Sequence, residues 1–146
     1  MKDHVDGSDI SYEIKCIQDV IKQHETRGTA LDNCKIYLMS DRRATIDNLK
    51  EWIPLNTKCN PVIAKHDMND VGHFVENGPY AMKGFFEDLA LAAYTNGGFI
   101  GHLADQVSTA SDLIHELYIY NHFVLNSQRQ PTQESPIICG IPKHNK

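Results

Sequence analysis

Short apolar runs of strand-forming residues alternate with segments of helical period, and this alternation limits what the chain can fold into. The strand-like runs are Cys34-Lys-Ile-Tyr-Leu-Met39, Pro61-Val-Ile-Ala64 and Phe99-Ile-Gly-His102. Each is too short to bury a core alone, and helical segments lie between them. Strands separated by helices pair in parallel, through right-handed crossovers, with helices on the sheet faces. The expected architecture is therefore a three-layer α/β fold with a Rossmann-like parallel sheet. A chain of 146 residues suffices for one such domain.

The helical segments have distinct characters. Ile10, Ile14, Ile17 and Ile21 recur at helical spacing, with Ser8 or Asp9 as a cap and Gly28 as a stop. Ile46, Leu49, Trp52 and Ile53 mark a second helix, which Ser40 or Asp41 would cap and Pro54 would end. A third, Phe85–Tyr94, is apolar nearly all round apart from Glu87 and Asp88, which predicts burial on more than one side. A charge within such a helix needs a partner. Leu103, Val107, Ala110, Ile114 and Leu117 predict a fourth helix from about Asp105 to Tyr120. The expected division is a disordered start over 1–9, one α/β domain over 10–125, and a polar tail over 126–146. Within that tail Pro136–Ile141 has the composition of one last edge strand.

Open parallel sheets bind ligands at the carboxyl ends of their strands. Those ends carry Ser40-Asp41-Arg42-Arg43, Lys65-His66-Asp67 and Gly101-His102-Leu103. Arginine forks suit phosphate oxygens, and a carboxylate can accept from sugar hydroxyls. The ordinary reading of the first cluster is a capped helix start with solvated arginines. His66, Asp67, His73 and Glu76 are metal-ligand types without helical ligand spacing, so surface loop residues are the ordinary reading, and no metal is expected. His102 and Asp105 flank a strand-to-helix turn of the kind whose amides bind phosphate. No phosphate-binding loop, dinucleotide fingerprint or serine-nucleophile elbow occurs.

Cys16, Cys34, Cys59 and Cys139 are widely spaced and form no Cys-x-x-Cys pair, so buried free thiols are expected. One or two disulfides remain open if the chain matures in a secretory lumen. The net charge of −5 argues against nucleic acid as a partner. No apolar run is long enough to span a membrane, and the opening MKDHVDGSDI is too polar for a signal peptide.

Three segments, in order, resemble the donor-binding half of GDP-fucose-dependent fucosyltransferases of the core α1,6, bacterial nodulation and protein O-fucosyltransferase types. They are Ile36-Tyr-Leu-Met-Ser-Asp41, Gly84-Phe-Phe-Glu-Asp88 and Gly98-Phe-Ile-Gly-His-Leu-Ala-Asp-Gln-Val107. The resemblance covers roughly residues 34–122. It implies one Rossmann-like half of a two-domain GT-B glycosyltransferase. It also implies GDP-fucose as donor substrate, no metal or other cofactor, and a glycan or glycoprotein acceptor. By motif position Asp41, Arg42, Asp88 and His102 would face the donor, and the turn carrying Asp105, Gln106 and Val107 would approach its phosphates. Arg42 stands where the family has a second acidic residue, and Ala104-Asp105 where it has a serine pair. The family's His-x-Arg-Arg-x-Asp strand motif does not occur. A fragment or truncated relative with little transfer activity of its own is therefore expected. The relatives work in the secretory lumen (Golgi or ER) or in cytoplasm. Two other readings stay open: a non-catalytic α/β binding module, and a metal-assisted hydrolase using His66, Asp67 and His102.

Overall fold

The computed structural model describes residues 9–40, 42–63, 79–92, 95, 97–102, 109–125 and 135–142. Helices and short parallel strands alternate along them. The order is α1 (Ser11–Thr26), β1 (Lys35–Tyr37), α2 (Arg43–Asn56), β2 (Asn60–Val62), α3 (Pro79–Ala92), β3 (Phe99–Gly101) and α4 (Thr109–Tyr120). A π-helical turn over Asn121–Leu125 and strand β4 (Ile138–Gly140) follow. The strands form two sheets of two, β1 with β2 and β3 with β4, both parallel. The fold is thus mixed α/β with parallel pairing, as the alternation predicts. No described helix is long and apolar enough to cross a membrane.

The chain divides into two compact units. The first comprises Met1–Ser11, Ala30–Leu91 and Asn145–Lys146. Its sheet pairs Lys35 with Asn60, Ile36 with Pro61 and Tyr37 with Val62. Pro61 lacks an amide donor but sits in a two-stranded sheet, where one side of each strand is an edge. Helix α2 packs on β2 and carries Ile46, Leu49 and Ile53, all buried. Pro54 does not end α2, contrary to expectation: the helix runs two residues further, to Asn56. A proline forfeits one helical bond and crowds the carbonyl four residues back, which is tolerable when so little helix remains. Local bonds close the end. The Thr57 amide and hydroxyl both donate to the Ile53 carbonyl, at 2.9 and 2.8 Å, and the Asn56 side chain donates to Trp52 at 2.8 Å.

The second unit comprises Tyr12–Thr29 and Ala92–His144. Its sheet pairs Phe99 with Ile138, Ile100 with Cys139 and Gly101 with Gly140. The tail region therefore supplies a strand, and proline flanks it rather than interrupting it. Helix α4 packs on β3, and Cys16, Ile17, Phe99, Tyr118 and Ile137 are buried. Gly28 adopts φ +77° just beyond α1, the left-handed conformation that glycine enters without steric cost. Asp9 supplies the predicted cap, accepting from the Ser11 amide at 3.0 Å.

The expectation of free thiols is overturned. All four cysteines pair, as Cys34–Cys59 and Cys16–Cys139. Register explains the first bond. Lys35 lies opposite Asn60, so the preceding residues, Cys34 and Cys59, are also opposite each other, and their Cα atoms are 4.6 Å apart. That is the ordinary spacing of neighbouring strands. The second bond joins α1 to β4 across a sequence separation of 123. Sequence distance concealed both pairings.

Candidate functional site

In the first unit, β1 and α3 bring Tyr37 and Asp88 together. The Tyr37 hydroxyl donates a short hydrogen bond to Asp88 Oδ1, with both side chains half-buried. Asp88 lies well inside α3, nine positions after Pro79, so helix-dipole stabilisation of a first-turn carboxylate does not apply to it. Tyr37 supplies the polar partner that a half-buried charge in an apolar helix requires. Burial, the bond to Asp88, and the nearby Asp88 and Glu87 carboxylates together push the Tyr37 phenol far above its ordinary pKa. Tyr37 is therefore a fixed neutral donor, and it orients one oxygen of Asp88. The sequence singles out Asp88 but not Tyr37. The only sequence signal for Tyr37 was a polar-tipped aromatic among the apolar residues of a strand.

Helix α3 departs from the expected deep burial: Phe86 is 59% exposed and Leu91 39%. Glu87 faces Lys83 one turn back at 4.0 Å. The two acidic residues of this helix thus have separate partners and different roles.

The turn after β1 is built differently from either predicted cap. Arg42, not Ser40 or Asp41, occupies the N-cap position of α2, with extended backbone and no capping bond from its side chain. The Ser40 hydroxyl instead accepts from the Arg42 amide at 3.0 Å and turns the chain toward the helix. Arg42 is exposed, at a helix end whose amides and dipole favour anions. Arg43 pairs with Asp47 at 3.8 Å on the exposed helix surface. Asp41 lies outside the described residues.

In the second unit, His102 follows β3. Its Nδ1 is 3.0 Å from the Ile141 carbonyl, which can only accept, so Nδ1 carries the proton. In the neutral ring Nε2 is then the acceptor. The His102 carbonyl accepts from Ser111 Oγ at 2.8 Å, joining the strand end to the first turn of α4. Asp105, Gln106 and Val107, and the predicted helix start at Asp105, lie outside the described residues, as do His66, Asp67, His73 and Glu76. Helix α4 is described from Thr109. Among the described residues, no group of three or more His, Cys, Asp or Glu side chains could hold a metal ion.

Two further polar anchors hold the second unit. Tyr118 accepts the Ile137 amide at 2.8 Å, and burial raises the Tyr118 phenol pKa, partly offset by that bond and by the Arg27 charge. His24 Nε2–H donates to the Gly97 carbonyl at 2.6 Å, while its Nδ1 is buried without a partner. No family model, no curated protein and no solved structure matches the chain.

Proposed function

We propose that this chain is the donor-binding half of a fucosyltransferase-like glycosyltransferase, and that its ligand is GDP-fucose. The finer architecture belongs to the same proposal: a three-layer, Rossmann-like parallel sheet of the GT-B kind. In this reading Asp41, Arg42 and Asp88 face the nucleotide-sugar. The acceptor is a glycan or glycoprotein. Transfer chemistry would rest on electrostatic stabilisation of the departing diphosphate. Without the arginine-rich strand motif, these residues bind the donor but turn it over slowly at best.

One observation supports the reading above the others. Two of the three segments that carry the family resemblance, Ile36–Asp41 and Gly84–Asp88, meet within one unit through the bond from Tyr37 to Asp88. That bond gives the carboxylate a fixed orientation, which recognition of a sugar or ribose hydroxyl requires. Thermal unfolding with added ligand tests the proposal. GDP and GDP-fucose at millimolar concentration should raise the midpoint, while zinc and manganese should not. A rise with a metal and none with GDP would shift the choice to metal-assisted hydrolysis.

A further inference from the structure

The 135–141 segment is held to the second unit in two distinct ways. Its non-covalent bonds are a three-pair ladder with β3, two backbone bonds at the ladder's ends and side-chain bonds from the same unit. The Phe99 amide donates to the Ile137 carbonyl at 2.9 Å, and the Ile141 amide to the Gly101 carbonyl at 2.8 Å. Tyr118 accepts the Ile137 amide, and Arg27 donates to the Ser135 carbonyl at 2.9 Å. Strand β4 itself is three residues long and pairs with one neighbour. Its remaining attachment is covalent, through Cys139, its central residue, to Cys16 on α1. The segment in turn fixes His102, because the Ile141 carbonyl is the acceptor that keeps the ring proton on Nδ1.

We propose that the Cys16–Cys139 disulfide is a redox clamp that keeps β4 on β3 and thereby fixes His102 as a hydrogen-bond acceptor. Cys16 is buried and Cys139 half-buried, and the Cys139 end takes the attack. A dithiol opens the clamp by exchange. Its thiolate attacks Cys139 Sγ, the disulfide bond breaks, and Cys16 leaves as a thiolate that takes up a proton. The second thiol of the reductant then releases Cys139 as a thiol and closes a cyclic disulfide. Two electrons and two protons have passed to the protein. With β4 untethered, a three-pair ladder to one neighbour, the Tyr118 and Arg27 bonds and the buried Ile137 side chain are left to hold the segment, and the His102 ring loses its fixed acceptor. The inference does not depend on what His102 binds.

The test uses the full chain labelled with nitrogen-15, carrying Cys34→Ser and Cys59→Ser so that only the clamp can be reduced. Long-range proton–nitrogen correlation reads the His102 ring, assigned by its loss in His102→Asn. Amide exchange reads the Phe99 and Ile141 amides. Oxidised protein should show one tautomer, with the proton on Nδ1. Dithiothreitol should give a tautomer mixture and at least tenfold faster exchange at both amides, with α1 and α4 still protected. An unchanged ring and unchanged exchange in reduced protein overturn the proposal. So does loss of protection throughout α1 and α4, which would make the bond a global staple rather than a local clamp. Should the serine variant not fold, the wild-type chain is titrated with dithiothreitol, and differential alkylation with mass spectrometry identifies which bond has opened at each point.

Discussion

Replacing Tyr37 with phenylalanine removes one hydroxyl and keeps the ring. The Tyr37→Phe variant therefore isolates the bond to Asp88 from the packing of β1. A hydrogen bond to a charged group contributes about 1.5–3 kcal/mol. Both side chains are only half-buried, so water can partly replace the lost donor, and the lower part of that range applies: about 1.5–2 kcal/mol. For a chain of this size unfolding entropy is about 0.3 kcal/mol per degree, so the midpoint should fall by roughly 5–7 °C at pH 7. The alkaline limb gives a second readout. The folded Tyr37 phenol holds its proton more tightly than the ordinary value of 10.0. Its stabilisation is fully present below that value and is lost as pH rises above it toward the folded pKa. Wild type should therefore lose stability above pH ~10 more steeply than Tyr37→Phe, and the gap between them should narrow. Denaturant unfolding at pH 7, 9 and 10.5 measures both effects. A difference below ~0.5 kcal/mol at pH 7, the range of ordinary surface substitutions, would refute the account of Tyr37 as the donor that holds Asp88.

Two other variants test the packing and one cross-link. Cys34→Ser with Cys59→Ser opens a loop with a sequence separation of 25, for which chain entropy predicts a loss of about 3–3.5 kcal/mol, read by denaturant unfolding. Gly101→Ala should cost about 1–3 kcal/mol in the same assay, because its new Cβ would lie 2.7 Å from both Phe99 Cζ and Ser111 Oγ. The Phe99 ring packs against His115 and has little room to move.

Local features of the fold were legible and long-range ones were not. The isoleucine spacing of α1, the three apolar runs and the strand beyond Pro136 all appear as elements, because periodicity and turn residues act over a few positions. Pro54 misleads because a proline is costly in a helix interior, and this one stands two residues from the end. The cysteine pairings depend on strand register and on the placement of α1 beside β4, which residue spacing does not encode. Asp88 was recognisable as a charge needing a partner. Tyr37 was not recognisable as that partner, since 51 positions separate them. His102 was chosen for its place at a strand end. Its tautomer depends on Ile141, 39 positions away.

Donor binding through Asp88 is the central claim, and calorimetric titration of GDP-fucose into the wild type, Asp88→Ala and Tyr37→Phe chains tests it most directly. The wild type should bind one equivalent saturably. Asp88→Ala should bind at least tenfold more weakly while keeping a native circular-dichroism spectrum, and Tyr37→Phe should fall between the two. No heat from the folded wild type at millimolar GDP-fucose, or equal affinity in all three chains, would contradict the account.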